Sequence, residues 1–303
     1  MRFRTDSGRV LAEGIDWRVI DRGAAEYPTK LEHLPDPPDR IWVLGRRLDR
    51  LPPCVAIVGT RTPTPYGTDI TEALATDFAM GGICVVSGLA RGIDAAAHIG
   101  ALDRGTTVAV LPGGIDVCYP SSHRDLYARI AERGALVAEH PPGTPTRKHR
   151  FTHRNRIIAA LALATVVVQA GERSGALSTA RHALGIGRDV FAVPGDVRID
   201  VSIGPHELLR DGAAPCTCAG DVLERIGVEI ARESAMRDLH DVPEDMPHEQ
   251  AAVLALIGKQ TMSAETVGAL AGFDGGTLAK TLMRLELGGW IARGGGGSVR
   301  RLR

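Results

Sequence analysis

Four short stretches present glycine in a way that suits phosphate, three of them with arginine, serine or threonine alongside: Gly59-Thr60-Arg61, Ser87-Gly88 with Arg91 three residues on, Gly113-Gly114, and Ser174-Gly175. Glycine lets a backbone turn lie close to a ligand. The amide hydrogens of a strand-to-helix turn then aim at that ligand, with the positive end of the following helix behind them. One such corner alone is more often a plain tight turn, but four of them on one edge, some carrying arginine or serine donors, favour a phosphate cradle. A fifth stretch, TRKHRFTHRNR at 146–156, gathers Arg147, Lys148, Arg150, Arg154 and Arg156 around Phe151 and Asn155. Cations for phosphates and one flat ring for a base are what grips a single nucleic-acid strand without reading base edges. Arg154 and Arg156 also have a structural alternative, as partners of a carboxylate such as Glu139 or Asp94.

Other chemistries lack their parts. No G-x-x-x-x-G-K-[ST] supplies a nucleotidase lysine, no G-x-G-x-x-G follows the first apolar run, and no G-x-S-x-G elbow presents a nucleophilic serine. Asp94 and His98 stand four apart at a helix start, where a capping carboxylate and a locally bonded imidazole are the simpler reading than an acid–base pair. Ser174 and Ser178 read as phosphate donors or caps. The five cysteines are an odd set, three of them in or beside apolar runs, so reduced thiols are expected. Cys216-Thr-Cys218 is only half a zinc ligand set. No catalytic residue, metal or cofactor is therefore assigned.

These residues need a scaffold. Apolar runs at 55–58, 83–86, 107–111, 135–138, 165–169 and 190–193 read as buried strands, separated by stretches with helical periodicity. Alternation of that kind implies an α/β fold, an extended Rossmann-like, mostly parallel sheet with helices on both faces. The glycine corners follow the first, second, third and fifth strands, and the basic stretch follows the fourth. In such a sheet the ligand crevice lies beyond the carboxyl ends of the strands. The expected organisation is an N-terminal arm at 1–53, a Rossmann-like DNA-binding domain at 54–235, a linker at 236–247, and a small C-terminal winged-helix domain at 248–303, read from three short helices and a glycine-linked hairpin. Lys plus Arg and Asp plus Glu balance at 36 each, so any polyanion must be held by a local basic surface. With no apolar leader or span, a cytoplasmic protein with no membrane contact is expected.

VGTR at 58–61, SGLARGIDAAAH at 87–98, VLPGGIDVCYP at 110–120, AEHPPG at 138–143, FTHRNRIIA at 151–159 and SGALSTA with GRDVFAVPGDV up to 197 together resemble the DprA family, also called Smf, of DNA-processing proteins in natural transformation. The likeness runs in order from about residue 27 to 226, and the tail is similar to the winged helix many members carry. The resemblance implies a homodimer that binds single-stranded DNA and helps load the RecA recombinase. It also implies that Arg61, the Ser87-Gly88 and Arg91 corner, and the segment holding Phe151 and Arg154 make the contacts. Two features depart from the family. The fifty residues before the sheet leave no room for the helical SAM-like domain of many relatives, and the Pro112-Gly113-Gly114 corner looks like that of lysine-decarboxylase-like phosphoribohydrolases. A nucleotide-processing enzyme of that type and a winged-helix transcription regulator are thus the competing readings.

Overall fold

The structure, a computed structural model, describes residues 2–6, 9–13, 16–227, 246–257, 262–294 and 297–302. The chain divides into two compact units, Met1–Ala231 and Arg232–Arg303. The expected linker, 236–247, falls outside the described residues except for Met246 and Pro247.

The first unit opens with a hairpin of β1 (Arg2–Asp6) and β2 (Arg9–Glu13), then β3 (Arg18–Asp21) and β4 (Arg40–Gly45). An alternating series follows: β5 (Cys54–Val58), α1 (Pro65–Met80), β6 (Cys84–Ser87), α2 (Ile93–Arg104), β7 (Thr107–Gly114), α3 (Arg124–Arg133), β8 (Ala135–His140), α4 (Lys148–Leu161), β9 (Ala164–Val167), α5 (Gly175–Gly185) and β10 (Asp189–Ala192). It closes with α6 (Ile203–Arg210), β11 (Ala214–Pro215) and α7 (Ala219–Arg225). The nine-stranded sheet has the order β11-β10-β9-β5-β6-β7-β8-β4-β3. Pairing is parallel from β11 to β8 and antiparallel across β8–β4 and β4–β3.

Both faces of the central strands are covered, which is why they read as unbroken apolar runs. Along β5, Cys54, Ala56 and Val58 join a core with Ile157, Ile158 and Leu161 of α4 and Ala176 and Leu177 of α5. Val55 and Ile57 face the opposite core, with Leu74 and Phe78 of α1, Ala97 and Ala101 of α2, and Val222 of α7. α3 covers β7 and β8 on that same side through Leu126, Tyr127 and Ile130. Helix starts follow local chemistry: Thr64 caps α1 by accepting the Gly67 amide at 3.2 Å, with Pro65 at the first helical position.

The segment before Cys54 differs from the expected arm. β4 pairs with β8 and β3 with β4, so this segment extends the sheet instead of lying on it. Ile20, Ile41 and Val43, with Leu31 and Leu34 of the connection, are part of the core shared with α4. The sequence hid this because β3 and β4 alternate buried and partly exposed residues among Arg and Asp, a half-covered pattern that Pro and charge obscure.

In the second unit, α8 (His248–Ile257), β12 (Met262–Ser263), α9 (Ala264–Ala271), α10 (Gly275–Leu287), β13 (Ile291–Arg293) and β14 (Ser298–Arg301) form three helices and a sheet ordered β12-β14-β13. Ser263 caps α9 through the Thr266 amide at 3.0 Å, and Val253, Leu254, Val267, Leu282, Leu285, Ile291 and Val299 make the core. This is a winged helix whose hairpin carries a third short strand.

A test of the N-terminal segment's role is Leu31→Ala. Because Leu31 is fully buried, the substitution is expected to lower the urea unfolding free energy by about 3 kcal/mol, as for other core truncations. A loss below about 1 kcal/mol would restore the reading of a loosely laid arm.

Candidate nucleic-acid interface

In the sheet, β5 sits between β9 and β6, so the chain moves outward through β6, β7 and β8 and then returns to the other side of β5. Crossovers from β5 and β9 diverge there, leaving a crevice beyond the carboxyl ends of the two strands. The structure has a cleft of about 440 Å³ at that point. Its walls are the corner after β5 (Gly59, Thr60, Arg61), the corner after β9 (Gly171 to Gly175), Ala90 and Asp94 from the corner after β6, and Phe151, Arg154 and Asn155 of α4.

Arg154 joins these elements from beneath. It is buried, and Nη1 donates to Gly88 O at 2.8 Å and also to Val110 O, so one guanidinium ties the ends of β6 and β7 to α4. A Cβ at position 88 would lie 2.6 Å from Arg154 Cζ, which is why that corner carries glycine. Burial pushes the Arg154 guanidinium down to about 10; Asp94 opposes that shift and Arg61 adds to it. Burial likewise raises the Asp94 carboxyl, against the pull of Arg154 and of the amides it accepts. Removing Arg154 would leave the Asp94 carboxyl without its nearby cation and two carbonyls buried without their donor, a loss of about 3–5 kcal/mol. Asn155 adds a second tie, from Nδ2 to Gly175 O at 3.0 Å.

The second corner is internally satisfied. Asp94 Oδ2 accepts from Gly88 N at 3.1 Å and Ala90 N at 3.4 Å, and His98 Nε2 accepts from Leu89 N at 3.3 Å. The Thr107 hydroxyl donates to Val85 O at 2.7 Å, so its oxygen accepts from His98 Nδ1, also at 2.7 Å. This assigns the tautomer and leaves His98 no lone pair for catalysis. Burial, with Arg154 and His123 acting in the same direction, lowers His98 to about 3, so it stays neutral. Gly92, at φ +75°, begins α2 where a side chain would strike Thr60 O. Thr60 N donates to Gln169 O at 2.6 Å and Thr60 O accepts from Ile93 N, which locks the first corner to β9 and α2.

The cleft therefore brings together Gly59, Thr60, Arg61, Phe151, Arg154, Asn155, Ser174 and Gly175. Several other expected residues lie elsewhere. Ser87 is buried and donates to Ile57 O at 2.6 Å. Gly113 and Gly114 are buried inside β7, where Gly114 N donates to Thr144 O at 2.9 Å, so segment 141–146 closes the third corner. Arg156 is buried in an ion pair with Glu139. Arg150 donates to Pro145 O. Arg91, Arg147 and Lys148 are exposed and outside the cleft lining. Ser174 acts as the cap of α5, accepting from Ala176 N at 3.3 Å.

At the mouth of the cleft the Arg61 guanidinium lies over the Phe151 ring, 4.9 Å from its centre, a cation–π contact that holds the cation toward solvent. Arg61 and Arg173 have no ion-pair partner among the described residues, whereas Glu172 is an exposed carboxylate on the same wall. Two residues here escaped the sequence reading. Arg173 lay inside a corner read only for its glycine and serine. Tyr119 is in edge contact with Phe151, centroids 5.4 Å apart at 68°, and its signal was an aromatic just past the third strand in a chain with four tyrosines.

Comparison with known proteins gives a consistent family. The family model for DNA recombination-mediator protein A matches residues 18–227, and that for the DprA winged helix domain matches 240–297. A Mycobacterium tuberculosis protein designated DNA processing protein DprA is 45% identical over 247 residues, covering 76% of this chain and 64% of the relative's own length. The crystal structure of DNA processing protein A from Streptococcus pneumoniae is similar at a TM-score of 0.66 and 37% identity, over 70% of this chain and 74% of that one. DNA processing protein A from Helicobacter pylori, described for its single-stranded DNA binding mode, is similar at a TM-score of 0.63 and 29% identity, over 70% and 96%. Among the described residues no helix is long and apolar enough to cross a membrane.

The His98 brace makes a pH test. Below the ordinary histidine value of about 6.5 the unfolded chain takes up a proton that folded His98 refuses down to about 3. Stability is therefore fully present above about pH 6.5 and lost as pH falls through that window, at up to about 1.4 kcal/mol per pH unit. In chemical denaturation at pH 8 and pH 5, His98→Gln is expected to shrink the difference by about 2 kcal/mol. Parallel profiles for the two proteins would contradict the burial of a neutral ring.

Proposed function

Because this chain belongs to the DNA recombination-mediator protein A family, we propose that it is a single-stranded DNA-binding protein that protects incoming strands and helps load the RecA recombinase during natural transformation and recombination. The observation that carries the reading is the cleft at the β5–β9 divergence, where a solvent-facing guanidinium, Arg61, is propped on an aromatic ring beside glycine corners. Cation and flat ring side by side suit a phosphodiester strand with splayed bases. Arg91, Arg147 and Lys148, exposed near the same sheet edge, extend the positive field along the strand.

The reading is of a binder and not of an enzyme. Asp94 and His98, the residues best spaced for acid–base work, spend their lone pairs on the second corner. A homodimer and a cytoplasmic location are part of the same proposal, as are the four segments 1–53, 54–235, 236–247 and 248–303 as functional divisions. For the winged helix, α10 exposes Met283 and Leu287 beside Lys280 and Arg284, which favours protein contact over duplex recognition.

The test is oligothymidine affinity measured across salt. Affinity is expected to fall steeply as salt rises. Arg61→Ala is expected to weaken binding by about 1–2 kcal/mol and to reduce the log–log salt slope by roughly 0.7, the share of one phosphate contact on a single strand. Affinity independent of salt in the parent protein would remove the proposal.

A further inference from the structure

We infer that Tyr119 is a base-stacking platform at the rim of the cleft, over which a bound single strand leaves the Arg61–Phe151 pair. The inference rests on the single-strand reading above and deepens it.

The geometry separates three roles. Phe151 is half-buried, lines the cleft, and is engaged on two sides: by the Arg61 guanidinium 4.9 Å from its centre and by the Tyr119 ring at 5.4 Å and 68°. Phe151 thus holds a cation and an aromatic neighbour while still lining the cleft. Tyr119 is not among the residues that wall the cleft, yet it touches one that does. It is 43% exposed, and the Phe151 ring links it to the cationic anchor Arg61. Among the described side chains of the first unit, the other exposed aromatic is Tyr66, and its hydroxyl is fastened to Pro194 O at 2.9 Å. A part-exposed aromatic one ring away from a guanidinium with no ion-pair partner among the described residues suits the two needs of a nucleotide at once, because every base has a π-face and its phosphate lies one sugar away.

Position in the sheet adds direction. Tyr119 follows β7, two strands from β5, so the platform lies along the sheet edge from the cleft and not above it. Arg124, five residues further at the start of α3, is exposed and without an ion-pair partner among the described residues. A strand running from the β5 corner toward the β7 corner would meet Arg61, then Tyr119, then the field of Arg124. The third glycine corner, closed beneath segment 141–146, is replaced on this path by the aromatic that follows it.

The decisive measurement compares oligothymidine with an abasic strand of equal length, by fluorescence anisotropy on the full chain. Tyr119→Ala is expected to weaken oligothymidine binding about tenfold, to change abasic binding less than twofold, and to leave the salt slope intact. Arg61→Ala is expected to weaken both strands alike and to lower the slope. Tyr119→Phe, which keeps the ring and its contact with Phe151, is expected to bind like the parent, with an unchanged unfolding midpoint for each variant as the control. Equal loss on both strands for Tyr119→Ala, or no loss on either, overturns the platform while leaving single-strand binding intact. Failure of the parent to bind either strand sinks the underlying reading instead.

Discussion

One buried guanidinium sets the geometry on which the cleft depends. Arg154 spans the carbonyls of Gly88 and Val110 and lies close to Asp94, so the ends of β6 and β7 and the first turns of α4 are fixed to one rigid planar group. A hydrogen-bonded charge in such a place gains from the low dielectric only while every partner is present. That all-or-none character gives the edge its fixed shape. The same helix that delivers Arg154 downward delivers Phe151 outward, three residues earlier and close to one turn away, so the brace and the exposed cation–π pair are mechanically one object.

The pairing of charges divides the surface into passive and available parts. Arg18, Arg22, Arg40 and Arg47 are held by nearby carboxylates, contacts that add little stability in water. Arg61, Arg91, Arg147, Lys148 and Arg173 have no such partner among the described residues. A chain with balanced totals thereby shows a polyanion a positive border, and its overall neutrality limits unspecific attraction to everything else.

Much of this was legible in the sequence. The six central strands lie within one to three residues of the apolar runs that announced them, since burial on both faces leaves no polar alternation to confuse the signal. The corners after β5 and β9 were recognised as phosphate-suited, but only strand order makes them neighbours, and order depends on crossovers that no local pattern records. The basic stretch at 146–156 divides between its two readings, a cationic grip and a structural pairing of Arg154 and Arg156. Its spacing placed five cations together, yet on a helix Arg154 and Arg156 turn inward to carbonyls and to Glu139, while Lys148 stays in water. Glycine was equally ambiguous: at 88 it makes way for a guanidinium, at 113 for the chain itself. The segment before Cys54 looked irregular because its strands are short and half-covered, and only the free edge of β8 explains why they form.

The sheet ends, on one flank, in the two-residue β11, whose second residue is Pro215. Proline has no amide hydrogen to offer, and two residues give a neighbouring backbone almost no ladder to extend. On the opposite flank β3 is four residues long and begins and ends in charged side chains. Neither border invites an added strand from a second chain. Association of copies across the borders of this nine-stranded sheet is thereby disfavoured, which shifts any contact between them toward matching side-chain surfaces, a mode open to adjustment by single substitutions.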